Sequence, residues 1–484
     1  MNSHPLVVIG AGPIGLAAAA HAHRRGLRTV VLEGGASAGA AVAEWGHVRL
    51  FSPWSELVDP VAAGLLDESG WDAPDASSYP TGSDWITGYL RPLAAALAAT
   101  PEVEIRYGAR VTGVARRARD LVVDAGRDTE PLVVHVETTA GPERLLASAV
   151  VDASGTWGRP NPLGADGYPA RGEREHADRI FYGMPDLADP VVRERYAGRH
   201  VAVAGTGASA QNVLVALARL AEEHPAMRVS WLVRRGETRF GGGDNDQLVE
   251  RGALGKRAQA VAAAPFVTTR TTFRTVAVED DADGLRILSD DGQVVEGVEE
   301  VVVVTGFRPD LSMLSEVRLD LDPVLESPRR LAPLIDPNVH SCGTVYPHGV
   351  KELEQPEPDF FVAGMKSYGR APSFLTLTGF EQVRSIVAAI AGDREAAERV
   401  ELVLPETGVC GGAGGFGDAA GATATAGATA ATATAAAGAT AATAGATTAT
   451  ATADATVAAD ATAGGGCCAP AAAEPLTIGR VPVG

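Results

Sequence analysis

Two glycine-rich turns, each entered from an apolar strand and each leaving into helix-forming sequence, constrain this chain most. The first is Gly10-Ala-Gly12-Pro13-Ile-Gly15, preceded by Leu6-Val-Val-Ile9. The second is Gly205-Thr-Gly207-Ala-Ser-Ala210, preceded by Val201-Ala-Val-Ala204. A strand–turn–helix is the context in which G-x-G-x-x-G/A carries meaning, because the glycines allow a tight turn and a close backbone approach. The helix N-terminus then receives a pyrophosphate. One such loop implies a dinucleotide. Two in one chain imply two dinucleotides that exchange electrons.

The residue closing each second strand separates the ligands. After the first loop, Thr29-Val-Val-Leu32 ends at Glu33, 18 residues past Gly15. A carboxylate there accepts hydrogen bonds from ribose hydroxyls and repels a 2′-phosphate, so the first site is expected to take FAD or NAD. After the second loop, Val229-Ser-Trp-Leu-Val233 ends in Arg234-Arg235. A guanidinium pair suits a phosphate, which favours NADPH over NADH at the second site. The plainer reading of Arg234 and Arg235 is a solvated loop pair.

Length and composition agree with an α/β chain of two Rossmann-like domains. At 484 residues there is room for about two or three domains. A net charge of −19 argues against nucleic acid or an anionic membrane as a standing partner. The first strand begins within a few residues of Met1, and no run of about 18 strongly apolar residues occurs. Four cysteines are too few for a disulfide-built secreted fold. A soluble, cytoplasmic protein is the expectation. Oligomeric state is open from the sequence, with a homodimer among the options.

Two strand-then-turn signals bracket the second loop: Ala149-Val-Val-Asp152-Ala-Ser154-Gly155 and Val301-Val-Val-Val304-Thr305-Gly306-Phe-Arg308-Pro-Asp310. Such turns let the chain pass close to a cofactor or cross between domains. The expected layout is a discontinuous flavin domain of three-layer ββα type, residues 1–166 and 301–404, with an NADPH domain inserted at 167–300. Within the closing segment, Asp359-Phe-Phe-Val362-Ala-Gly364-Met365-Lys366 is expected to be strand then loop. An amphipathic helix follows from Phe374. Gly364 is thereby a candidate cofactor contact, with ordinary βα core packing as its alternative. Residues 405–484 are nearly all Ala, Thr and Gly over most of their length, with too little apolar bulk for a core. They are expected to be a disordered tail.

Together, the paired fingerprints, Glu33, Arg234 and the Ser/Thr-Gly turns resemble the two-dinucleotide-binding-domain flavoproteins. These include the class B flavin-containing monooxygenases and the pyridine nucleotide–disulfide oxidoreductases. The resemblance covers roughly residues 5–400. It implies FAD on the first loop (Gly10, Gly12, Pro13, Gly15, Glu33, with Gly155 and Gly364) and NADPH on the second (Gly205, Gly207, Ala210, Arg234, Arg235, with Gly306). Hydride would pass from nicotinamide to flavin N5.

Departures choose the branch. A disulfide reductase of this kind needs a redox-active C-x-x-C or C-x-x-x-x-C beside the flavin, and the sequence has neither. The branch's Gly-Asp is also replaced by Gly364-Met365. The monooxygenase fingerprint F-x-G-x-x-x-H-x-x-x-F/W is matched only at Gly172 and His176, and a solvated loop histidine is the plainer reading of His176. Trp45, Arg49 and Trp54 lie in a tract that resembles that branch's substrate-side loops and are candidates to line a pocket over the flavin, with ordinary core packing as the plainer reading. The implied reaction is a monooxygenase-like one: NADPH reduces FAD, O₂ adds at flavin C4a, and a small-molecule substrate is oxidised.

Cysteine placement supplies the rival reading. Cys342 lies between His340 and His348, where an adjacent base would lower a thiol pKa, although small buried thiols are commonly inert. Cys467-Cys468 ends the Ala/Thr/Gly tract, with Cys410 at its start. Adjacent thiolates suit a thiophilic metal or metalloid. A reductase or detoxification protein for such an element is the alternative function, and Cys467 and Cys468 are its candidate metal ligands.

Overall fold

The computed structural model describes residues 4–240, 248–338 and 347–402. Its first parallel sheet is five-stranded, in the order Phe360–Val362, Ala149–Asp152, Leu6–Ile9, Thr29–Leu32, Val103–Arg106. Its three central strands are buried at every residue. Apolar runs of this sort, without polar alternation, belong to a parallel sheet covered on both faces. The helix Pro13–Arg24 lies on one face, with Pro13 in its first turn and Ile14 to Ala22 buried. Its alanines let the helix Thr376–Ile390 approach closely: a Cβ on Gly379 would stand 2.5 Å from Ile14 Cδ1. On the other side of the domain, Arg110–Arg116, Leu132–Thr138 and Gly141–Ala147 form an antiparallel three-stranded sheet.

The same arrangement recurs. A second parallel sheet runs Val267–Arg270, Arg228–Leu232, His200–Ala204, Glu300–Val303, Ile180–Tyr182. The antiparallel strands Thr275–Asp281, Gly284–Ser289 and Val294–Val298 accompany it. The fold is α/β, built from two Rossmann-like units.

One boundary moves. The strand Glu300–Val303 pairs in parallel with His200–Ala204, so it belongs to the second sheet and not to the returning flavin segment expected from residue 301. The ladder captures this strand because its apolar residues fill an interior position, between His200–Ala204 and Ile180–Tyr182, with Val301 and Val302 fully buried. The return crossing comes afterwards. There Asn161 N–H donates to Gly306 O at 2.9 Å and Arg308 N–H to Arg159 O at 3.0 Å, so the outgoing and returning chains run side by side. Glu173 fixes the outgoing chain, its buried carboxylate accepting from Leu163, Gly164 and Ala170 N–H and from the Tyr182 hydroxyl.

Among the described residues no helix is long and apolar enough to cross a membrane. The expected tail, residues 405–484, lies outside the described residues, as do all four cysteines, Cys342, Cys410, Cys467 and Cys468.

Candidate functional site

A cleft of about 570 Å³ opens at the C-terminal ends of the first sheet's strands. It is within the size range of small-molecule and cofactor sites. Gly10, Gly12, Pro13, Glu33, Gly155 and Gly364 all line it, although they come from four separate stretches of sequence. Gly10 holds φ +99°, and a Cβ there would press on Ala153 O at 2.9 Å. Gly12 has no heavy atom within 4 Å of where its Cβ would lie, so its backbone faces open space. Gly15 stands behind the loop, where a Cβ would come within 1.9 Å of Gly10 O. No side chain caps the helix Pro13–Arg24, which leaves its first N–H groups for an anion.

Glu33 is held at both carboxylate oxygens. Its Oε2 accepts from Ala11 N–H and its Oε1 from Gly35 N–H, both at 2.7 Å. The carboxylate is thereby fixed at the rim of the glycine loop, each oxygen keeping a lone pair for a ribose hydroxyl. An open backbone cradle, an uncapped helix and an oriented acceptor fit the diphosphate and ribose of FAD.

The far end of the cleft was less legible in the sequence. Gly364, at φ +69°, turns the chain after the strand Phe360–Val362. Its N–H donates to Gln382 Oε1 and its carbonyl accepts from the Ser367 hydroxyl, each at 2.7 Å. Buried Gln382 also donates to Ser367 Oγ at 2.9 Å and faces His348 Nε2 at 2.8 Å. Phe374, just before the helix Thr376–Ile390, lines the cleft. So do Glu44, Trp45, Trp157 and Asp310. Trp157 donates its indole N–H to Glu44 Oε2 at 2.7 Å and stacks on Phe307 with ring centroids 4.6 Å apart. The Ser312 backbone N–H, at 3.0 Å from Asp310 Oδ1, holds the Asp310 carboxyl below its usual range, assisted by the Ser312 hydroxyl, Arg159 and Lys366.

Behind the Gly155 turn lies a polar knot. Lys366 Nζ donates to Asp152 Oδ2 at 2.6 Å and to Ser154 Oγ at 3.1 Å. Asp152 Oδ1 in turn accepts from the Ser154 hydroxyl at 2.7 Å and its N–H at 3.1 Å. The pairing of these residues is not legible in the sequence. An acidic residue closing an apolar strand and a lysine following Gly-Met were the available signals, and only the fold brings them together.

The second loop reproduces the first in its backbone. Gly205 holds φ +134°, and a Cβ would meet Val304 O at 2.4 Å, just as Gly10 meets Ala153. Gly207, like Gly12, has nothing within 4 Å of its Cβ position, and the helix Ala208–Glu223 follows with Ala210 fully buried. Arg234 and Arg235 stand beyond the strand Arg228–Leu232, and Arg234 Nη1 donates to Ala165 O at 3.2 Å. Gly306, at φ +89°, lies on the return crossing beside Asn161 and does not line the first cleft.

Three expectations look different in place. Of Trp45, Arg49 and Trp54, only Trp45 lines the cleft; Arg49 donates to Tyr79 O and Trp54 is buried in the core. His176 is half-buried, its Nδ1 facing Gly172 O at 2.7 Å and its Nε2 facing Asp280 at 3.2 Å. Gly172 is required by geometry, since a Cβ would lie 2.0 Å from Val278 O. The Gly172 and His176 matches therefore secure a turn on the second domain. Among the described residues no group of three or more His, Cys, Asp or Glu could hold a metal ion.

Comparison with known proteins agrees with this geometry. The family described as pyridine nucleotide-disulphide oxidoreductase matches residues 7–341. No curated protein matches the sequence. Among solved structures, the bacillithiol disulfide reductase of Bacillus cereus superposes with a TM-score of 0.59 at 18% identity, covering 80% of this chain and 99% of that one. A mutant flavin monooxygenase from Stenotrophomonas maltophilia gives 0.54 at 23% identity, covering 81% and 99%. The FAD-bound cadaverine monooxygenase of Erwinia amylovora gives 0.57 at 13% identity, covering 84% and 100%. These likenesses establish the shared fold.

Proposed function

The chain belongs to the pyridine nucleotide-disulphide oxidoreductase family and is a flavin-dependent oxidoreductase using FAD and NADPH, and we propose that it works as a monooxygenase on a small molecule. In this reading FAD occupies the cleft of Gly10, Gly12, Glu33, Gly155 and Gly364, and NADPH takes the second loop with its 2′-phosphate on Arg234 and Arg235. The flavin, when bound, supplies the redox chemistry with NADPH and O₂. The protein's residues position it: the glycine loop and the helix Pro13–Arg24 seat the diphosphate, Glu33 orients the ribose, and the Gly364 turn closes the far end.

The observation that carries the reading is in the sequence, which has no C-x-x-C or C-x-x-x-x-C pair to serve as the dithiol relay of a disulfide reductase. This reading therefore takes oxygen as the acceptor. The test is NADPH consumption by the purified holoenzyme across a panel of amines, sulfides and ketones, with peroxide release recorded. Substrate-dependent turnover with oxygenated product and little peroxide is expected. Turnover that never couples to a product, with all electrons recovered as peroxide, contradicts the monooxygenase reading.

A second reading is favoured by Cys467-Cys468 and Cys410. Two adjacent thiols near the chain end suit a thiophilic ion that the flavin would reduce. Removing residues 405–484 decides it: loss of NADPH turnover with mercuric ion or an oxidised arsenic species supports this reading, and unchanged turnover ends it.

A further inference from the structure

The knot of Lys366, Asp152 and Ser154 has no role in the function proposed above, and its placement is costly. The Lys366 and Asp152 side chains are 1% and 0% exposed, and they join segments 214 residues apart. A buried ion pair is a poor source of cohesion, since well-packed apolar residues in its place commonly serve as well or better. It is also asymmetric. Lys366 belongs to the wall of the cleft, whereas Asp152 stands behind that wall and does not line it. The Lys366 ammonium is also bonded to Ser154, which lines the cleft as Lys366 does, so the cation is the partner of the pair tied to the cleft wall. The field of Lys366 also reaches Asp310, on the same cleft, and favours its ionised form.

We propose that Lys366 tunes the redox balance of the flavin held in this cleft, stabilising its more negative reduced form, with Asp152 moderating that effect from behind. The inference rests on FAD occupying the cleft. Reduction breaks the C4–H bond of the nicotinamide, forms an N–H bond on the flavin and releases NADP⁺. Two electrons and one proton enter the flavin, which ends one charge more negative. An ammonium fixed in a poorly solvated wall favours that product, because such surroundings screen its field weakly. Lys366 acts as a positioning residue, making no bond to substrate.

The two halves of the pair carry opposite signs, which makes the inference testable by the midpoint potential of the holoenzyme, measured spectroelectrochemically. Lys366→Met should lower the potential by about 30 mV, the equivalent of a tenfold change in a two-electron equilibrium. Asp152→Asn should raise it, and Lys366→Arg should stay near the wild type. A merely structural pair gives no shift, or shifts of one sign for both substitutions, and either result overturns the proposal. Should Lys366→Met fail to fold, Asp152→Asn and Lys366→Arg decide: no positive shift in the former, or a large one in the latter, is fatal. Wild-type protein that binds no FAD fails at the earlier step instead, and refutes the cofactor reading itself.

Discussion

The two glycine loops share a backbone and differ in what stands around it. In each, the first glycine takes a positive φ because the crossing strand's turn passes directly beneath it: Ala153 under Gly10, Val304 under Gly205. In each, the second glycine faces open space. The divergence comes at the third motif position and at the end of the second strand. Gly15 has no room for a methyl, while the second loop carries a fully buried Ala210. Glu33 is a carboxylate tied to the loop by two backbone N–H groups, while Arg234 and Arg235 present positive charge. In the reading proposed above, the shared part takes a diphosphate and the divergent part chooses which dinucleotide brings it.

The largest effect is expected at the tighter loop. Gly15→Ala places a methyl 1.9 Å from Gly10 O. It should cost about 3 kcal/mol of stability by overpacking and deplete bound FAD, measured by denaturant unfolding and by flavin absorbance. An Ala at 15 tolerated as well as Ala210 is would break the contrast. Next in size is Glu33→Ala, which removes the carboxylate held by Ala11 and Gly35 N–H and with it a charged hydrogen-bond acceptor for the ribose, a loss of about 1.5–3 kcal/mol in FAD binding. FAD affinity should fall at least tenfold while the KM for NADPH stays unchanged.

The converse experiment is the double substitution Arg234→Ala and Arg235→Ala. Losing charged contacts of about 1.5–3 kcal/mol to a phosphate should raise the KM for NADPH roughly 10- to 100-fold. NADH turnover and FAD content should not change. An equal loss for both nucleotides would place the arginines in a structural role. Ala210→Gly should cost only about 1 kcal/mol, the helix-propensity difference, with NADPH binding retained.

The smallest effect concerns pH. The Gly172 carbonyl, aided by Asp280, raises His176 above its ordinary value, against a smaller opposing effect of burial. A raised folded value means His176 contributes stability in full below its unfolded pKa and loses it as pH rises through the folded one. The contribution is small because Asp280 is exposed. His176→Gln should flatten the slope of thermal stability against pH above about 6.5, the unperturbed histidine value, and leave NADPH turnover intact. A changed turnover would restore His176 as a functional residue.

Much of the first site was legible because strand, glycine turn, helix and acidic residue are local in sequence. Gly10 to Gly15 and Glu33 fall within a single βαβ unit, so spacing alone placed them. The Ser154-Gly155 turn was found by its small residues, and the structure sets it against Gly10. What stayed hidden depends on contacts between distant segments. Lys366 meets Asp152 only after an entire second domain has been inserted between them. Trp157 and Phe307 stack because the outgoing and returning crossings lie side by side. The strand Glu300–Val303, which the expected boundary at residue 301 divides, is a related case. Its apolar run suits either ladder, and only pairing with His200–Ala204 decides.

The most direct test of the whole account is rapid mixing of anaerobically NADPH-reduced holoenzyme with oxygenated buffer, followed by absorbance. The account predicts a transient species, distinct from oxidised and reduced flavin, whose decay accelerates with a productive substrate. Single-step return to oxidised flavin with stoichiometric peroxide, unaffected by any substrate, would contradict it.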